Sequence, residues 1–297
     1  MYYCLSLSLS VYAVAAGNFS SNEMQKEAAI QALLEGGWTK EEIDDFMTDE
    51  VLLQYAGATL VESSEKYLKV SENSVTEISK NACLEEVKDV KKQIAQEQMM
   101  MEMTPSISTN SMYDEETTHD GYMVFYVQAY LSSTPSVYVL SARYEWLIEP
   151  DDRKVDVFGL GFSTQLTRTQ DAPYYVYKAD VKKTIGGAVL ESWTYETSSG
   201  IRKSDSGGVA YSQQLYEDTY AYQMSERATN HRGFIQYKAK VNSTSATVVS
   251  AYAEYYHQDA VLSVTPSVSY PWGAGLSVTP SSKFVEMGPN PYISFDV

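Results

Sequence analysis

Cysteine is almost absent from this chain of 297 residues, which holds only Cys4 and Cys83. If the first departs with a leader the second has no partner, so an internal disulfide framework is excluded. Histidine is equally scarce. His119, His231 and His257 stand singly, and none has ligand spacing to another, so neither a zinc cluster nor a base-activated nucleophile can be drawn. Positive charge is thin as well: 22 Lys and Arg face 39 Asp and Glu, a formal net charge of -17. The longest basic runs are Lys91-Lys92 and Lys182-Lys183. A nucleic-acid partner demands clustered cations and is not expected. No segment reaches the roughly 18 apolar residues that a membrane helix requires.

Other missing patterns narrow the chemistry further. Gly159-Leu160-Gly161 is too short for a phosphate loop, and no Lys-Ser or Lys-Thr follows it. Asp44-Asp45 and Asp49-Glu50 lack the alternating oxygens and central glycine of a calcium loop, and charge at helix N-termini accounts for them. Carboxylate pairs such as Glu145 with Asp180 single out no glycosidase dyad, because an acidic chain offers dozens of such pairs. The sequence therefore assigns no catalytic residue, no cofactor and no metal, and the expectation is a protein without enzymatic activity.

What is abundant is tyrosine, 25 residues against eight Phe and four Trp. Its side chain favours strands and can keep one end wet. Residues 1–16 read as a signal peptide, with an uncharged run from Leu5 to Val14 and small residues Ala13, Ala15, Ala16 and Gly17 at the exit. The competing reading is a buried strand, since Leu5, Leu7 and Leu9 alternate with serines. Residues 17–103 read as a helical module containing a small β-hairpin. One helix ends at Gly36-Gly37, a second starts at the capping box Thr39 to Glu42, and a third follows Thr48. Short strands are expected around 67–70 and 75–78, then a helix capped by Ser79 with the stripe Ala82, Leu84, Val87, Val90 and Ile94. Eight Lys and Arg against eighteen Asp and Glu make 1–103 the more acidic part.

Residues 104–120, rich in Ser, Thr and Asn, read as a linker. From 121 to 297 strand patterns follow in series, punctuated by Gly, Pro, Ser and Asn, which suits a Tyr-rich antiparallel β domain. The sextet Leu262-Ser263-Val264-Thr265-Pro266-Ser267 returns at 276–281, as two arms of a hairpin would. The expected fold class is α+β, a small helical N-terminal module followed by a larger antiparallel β-sandwich-like domain.

Two resemblances follow from particular stretches. Leu33-Leu34-Glu35-Gly36-Gly37-Trp38-Thr39-Lys40-Glu41-Glu42-Ile43 resembles the small three-helix modules of the ubiquitin-associated type, and implies only a compact helical unit. The whole chain is similar to uncharacterised secreted proteins of spore-forming Gram-positive bacteria, on the stretches 38–46, Val157-Phe158-Gly159-Leu160-Gly161 and Asn230-His231-Arg232-Gly233-Phe234 through Val241. That likeness implies export and no particular activity.

The function these readings favour is a secreted binding or surface-structural protein of undefined ligand, meeting cell-envelope glycan or another protein. Trp193, Tyr195, Tyr220, Tyr222, Tyr270 and Trp272 are its candidate ligand-binding residues, because exposed aromatics stack on sugars and anchor interfaces. The alternative is a pore-forming protein of the β-hairpin type, resting on the alternation of the 262–281 repeat, and only that alternative needs a membrane.

Overall fold

A computed structural model of the chain describes residues 20–71, 74–103, 119–149, 153–169, 172–185, 188–205, 207–221, 224–258, 267–269, 277–279 and 284–297. The expected signal peptide, nearly all of the expected linker and most of the 262–281 repeat lie outside them. Helices α1 (Ser21–Glu35), α2 (Lys40–Phe46) and α3 (Asp49–Leu52) come first. Ser20, Thr39 and Thr48 cap them, accepting from the amides of Glu23, Glu42 and Val51. At α1 and α2 the glutamate returns a bond to the cap residue, which satisfies two otherwise orphaned amides. Gly37, at φ +84°, supplies the left-handed residue after α1.

The hairpin β1 (Thr59–Ser71) and β2 (Ser74–Ile78) leads into α4 (Lys80–Met103), whose first turn is capped by Ser79. The remaining chain is strand: β3 (Gly121–Leu131), β4 (Val137–Ile148), β5 (Val155–Phe162), β6 (Leu166–Arg168), β7 (Tyr174–Ile185), β8 (Ala188–Thr197), β9 (Ile201–Asp205) and β10 (Gly208–Gln214). After these come β11 (Thr219–Ala221), β12 (Met224–Val241), β13 (Val248–Gln258), β14 (Ser267–Ser269), β15 (Ser277–Thr279), β16 (Phe284–Glu286) and β17 (Tyr292–Asp296). One sheet runs β2-β1-β3-β4-β12-β7-β8, with β6 and β11 also on β12. A second runs β16-β13-β5-β10-β9, with β17 also on β13. Every pairing is antiparallel, and the repeat's described residues pair as β14 with β15.

The two sheets make a sandwich and the helices cover the outer face of the first, so the α+β expectation holds. Strand β3 shows the layering through its period of two. Met123, Phe125, Val127 and Ala129 enter the core between the sheets. Tyr122 and Val124 face Cys83 and Val87 of α4, and Tyr130 faces α1 and the turn after α3. Most described tyrosines fill the interior: Tyr144, Tyr175, Tyr177, Tyr237 and Tyr255 are all buried between the sheets.

The hairpin β1–β2, grouped in sequence with the helices, is hydrogen-bonded to β3 from Thr59 to Val70. Trp38 and Phe46 likewise pack edge-on and tilted against Phe234 of β12, at 5.5 and 5.7 Å between ring centroids. Residues on both sides of the 104–120 segment thus share one packed body. The pairing joins segments some sixty residues apart, and the exposed Glu62, Ser63 and Glu65 give β1 no apolar alternation in its first half.

Candidate functional site

Of the six aromatic residues singled out from sequence, Trp193, Tyr195 and Tyr220 lie among the described residues. Trp193 and Tyr195 are on β8, half-buried against the sandwich core. The Tyr195 ring meets Tyr216 at 4.9 Å and Tyr177 at 6.1 Å, both edge to face. Tyr220 is in β11, in register with Ser225 of β12. Tyr222, Tyr270 and Trp272 lie outside the described residues.

The long strand β12 joins two contrasting ends of the molecule. At its Val241 end, the chain passes into β13 beside the β3–β4 and β5–β6 turns. The side-chain amide of Asn242 donates to Thr164 O at 2.9 Å, Leu166 O at 3.2 Å and Thr167 Oγ1 at 2.8 Å. Its backbone amide donates to Gln165 O at 2.9 Å. These bonds fix the 242–247 loop to the β5–β6 turn. Ser136, at φ +60°, holds the β3–β4 turn and accepts from Val241 N at 3.0 Å.

Two clefts open at this end. The larger, about 570 Å³, is lined by Ser132, Ser133, Ser136, Ser243 and Thr244 over an apolar floor that includes Leu131, Tyr138 and Val241. The smaller, about 310 Å³, is lined by Ser163, Thr164, Gln165, Ser250, Tyr252 and Tyr292. Neither lining includes an Asp, Glu, Lys or Arg. Tyr292 is 55% exposed and is tied by its hydroxyl to Ser250 Oγ at 2.6 Å, so its ring stands fixed and open to solvent. Tyr252 pairs with it across β13 and β17 and lies over Gly161. A methyl group at Gly161 would fall 2.3 Å from Tyr252 Cζ, so only glycine admits the ring there.

At the other end of β12, the strands β8, β7, β12 and β11 run past the sandwich as an arm. Val181 is the last β7 side chain in the core. Beyond it Lys182 and Ile185 are exposed, as are all five of residues 188–192.

Between the two ends lies a bulge at Thr229 to Arg232 of β12, with Asn230 at φ +56°. Its amide donates to Glu149, and its side-chain nitrogen donates to Asp180 Oδ2 at 2.8 Å. Arg232 forks onto Asp45 at 2.7 and 3.1 Å and reaches Asp180 at 3.1 Å, clamping α2 to the sheet. Burial alone would raise the Asp45 carboxyl, but the Arg232 hydrogen bonds and charge, with Lys178, outweigh it and hold it below the ordinary value. Burial pushes up the carboxyls of Glu145 and Glu149. His231 is fully buried, with Nδ1 2.6 Å from the Tyr177 hydroxyl, which also accepts from Tyr216 N at 2.8 Å. Desolvation first, then the charges of Arg153 and Arg232, depress His231 to about 3, so it is neutral near pH 7.

A second histidine, His257, places Nδ1 2.6 Å from Asp156 Oδ1. The same carboxylate accepts from the Tyr255 hydroxyl, which in turn accepts from Trp146 Nε1 at 2.9 Å. Both members of this pair are buried on the adjacent strands β13 and β5 of the second sheet, and the bond from Trp146 to Tyr255 joins that sheet to β4 of the first. No group of three His, Cys, Asp or Glu side chains able to hold a metal occurs among the described residues. Among them, too, no helix is long and apolar enough to cross a membrane.

Sequence reasoning missed the hydroxyl-lined clefts and Tyr292. The available signal was the uncharged turn chemistry of Ser132-Ser133-Thr134-Pro135-Ser136, Ser163-Thr164-Gln165 and Asn242 to Thr247.

No protein-family model matches the chain, and no curated protein does. Among solved structures it is similar to the pilus backbone RrgB from Streptococcus pneumoniae, at 12% identity and a TM-score of 0.24 over 54% of this chain, and it spans 41% of that protein's length. It is also similar to the Clostridium perfringens NetB toxin in its membrane-inserted form, at 6% identity and a TM-score of 0.19, over 58% of this chain and 89% of that one.

Proposed function

We propose that the protein is an exported, non-enzymatic binding protein that takes neutral carbohydrate at the hydroxyl-lined end of its sandwich. The observation that carries this reading is that no Asp, Glu, Lys or Arg side chain lines either cleft in a chain of net charge -17. An anionic ligand would be repelled by the surrounding field, and a cationic one would find no side-chain counter-charge inside. Serine and threonine hydroxyls both donate and accept, which matches a ligand carrying hydroxyls of its own. The fixed, open ring of Tyr292 offers a face for the C–H surface of a sugar. Loops gathered at one end of a sandwich and rich in Ser, Asn and Tyr are a recurring recognition device.

Sedimentation of the protein with insoluble neutral polysaccharides, chitin, cellulose and β-glucan, tests the reading, with an acidic polysaccharide as the comparison. At least one neutral polymer is expected to retain the protein and the acidic one to release it. Tyr292→Ala is expected to weaken retention roughly tenfold, about 1.4 kcal/mol. Equal retention by the variant, or preference for the acidic polymer, would remove the proposal.

A further inference from the structure

We infer that the larger cleft takes the acetamido group of an N-acetylated sugar, a selection that rests on the carbohydrate reading of the same end of the molecule. The two clefts differ in what they add to their hydroxyls. In the smaller, Ser163, Thr164, Gln165 and Ser250 stand with the rings of Tyr252 and Tyr292. In the larger, Leu131, Pro135, Tyr138, Val241 and Ala246 complete the lining. Tyr138 is buried and Val241 and Ala246 are half-buried, whereas Ser133, Ser136 and Thr244 are exposed. The deep side chains are therefore apolar, and the hydroxyls stand at the mouth.

Those hydroxyls are of two kinds. Ser132 Oγ donates to Thr134 O at 3.2 Å and accepts from Thr134 N at 3.1 Å. Ser243 Oγ is bonded to Ser245 Oγ at 2.9 Å and accepts from Ser245 N at 3.3 Å. Both are spent on shaping turns. The side chains of Ser133, Ser136 and Thr244 have no partner among the described residues, so three hydroxyls remain to donate or accept. Their loops are set in advance: Ser132 N donates to Val137 O at 2.9 Å, Val137 N to Thr134 O at 3.2 Å and Val241 N to Ser136 O at 3.0 Å. Little ordering cost falls on binding.

A ligand bearing hydroxyls alone would satisfy the mouth but press its own hydroxyls on the deep apolar side chains, where they lose water without gaining a partner. A wholly apolar ligand would strip water from the three free hydroxyls and return nothing. An acetamido group carries a methyl beside an amide N–H and a carbonyl. The methyl suits the deep side chains, the amide suits the mouth, and its neutrality suits a lining without charged side chains. The cleft volume of about 570 Å³ lies within the roughly 300–1,000 Å³ of small-molecule sites, so the sugar ring enters with its substituent. Ala246 lines this cleft and Val248 the smaller one, and two residues of backbone span at most about 7 Å. Neighbouring units of one sugar chain can thus reach both.

The test is titration of the full chain with the soluble tetrasaccharides of chitin and of cellulose, which share a linkage and differ at each ring in an acetamido group against a hydroxyl. The chitin tetrasaccharide is expected to bind roughly tenfold more tightly, about 1.4 kcal/mol. Leu131→Thr keeps a strand-forming side chain while placing a hydroxyl where the lining is apolar. It should bring the chitin affinity down to that for cellulose, which it leaves unchanged. Thr244→Val, close in shape, should weaken the chitin tetrasaccharide roughly threefold through loss of one hydrogen bond. Both positions are exposed, and urea midpoints equal to that of the unaltered protein confirm folding. Tyr292→Ala should weaken both tetrasaccharides alike. Equal affinities, tighter binding of the cellulose tetrasaccharide, or a chitin affinity that Leu131→Thr and Thr244→Val leave unchanged would overturn the acetamido assignment and leave the neutral-carbohydrate reading standing. Absence of binding to every neutral carbohydrate would remove both.

Discussion

The two ends of β12 are made from one strand, yet they differ in nearly every physical respect. At Val241 the chain turns among hydroxyls, its loop is held by the three side-chain bonds of Asn242, and no charged side chain lines the adjoining clefts. At Met224 the same strand pairs with β7, whose Ile185 is exposed, and β8 beyond it is exposed from residue 188 to 192. The first end is lined by hydroxyls, and the second exposes apolar side chains. Between them, the strand's middle is fixed by a core in which Phe234 touches Trp38, Phe46 and Tyr174. A single element can thus be rigid at its centre and specialised differently at each end, because the neighbours along it decide its burial.

The largest expected effect separates the middle from the arm. Phe234→Ala removes a fully buried ring and should lower stability by about 3–5 kcal/mol. Leu190→Ala on the arm should change it by about 0.5 kcal/mol or less. Urea unfolding of the two variants checks this, and comparable losses would mean that the arm is packed rather than projecting.

Acid provides the next contrast. His231 titrates near 6.5 when unfolded and about 3 when folded, so the unfolded chain takes up the proton first. Its contribution is fully present above pH 6.5 and is lost as pH falls toward 3, at up to about 1.4 kcal/mol per pH unit. Replacing His231 with Gln should flatten the dependence of the urea midpoint between pH 6.5 and 4. An unchanged slope would place the buried proton acceptor elsewhere.

A smaller effect is expected at the cleft end. Gly161→Ala forces the Tyr252 ring away from the strand and should cost about 1–3 kcal/mol. It should also weaken polysaccharide retention. Retention equal to that of the unaltered protein would show that the Tyr252 ring does not shape the cleft.

Much of the fold was legible because its signals are local. The boxes Thr39 to Glu42 and the cap at Ser79 mark helix starts through residues three apart, and the structure has them there. The strand series from 121 onward was legible from texture alone. Its layers were not, since in β3 and β7 both faces are buried and apolar residues occur on each. Asn230, at φ +56°, sits at a bulge inside an 18-residue strand, a placement that no local pattern announces. Glu149 and Asp180, distant in sequence, hold the bulge in place. The candidate site was the least legible part. Its serines and threonines look like any surface loop, and Tyr292 is one of 25 tyrosines, distinguished only by the exposure that tertiary packing leaves it.

The most direct measurement is hydrogen exchange of the intact protein with and without a soluble oligosaccharide of whichever neutral polymer retains it. Protection should rise in 131–138, 242–250 and around Tyr292, while 182–192 exchanges as before. Protection confined to the arm, or no change anywhere at saturating oligosaccharide, would contradict the assignment of carbohydrate to the uncharged end.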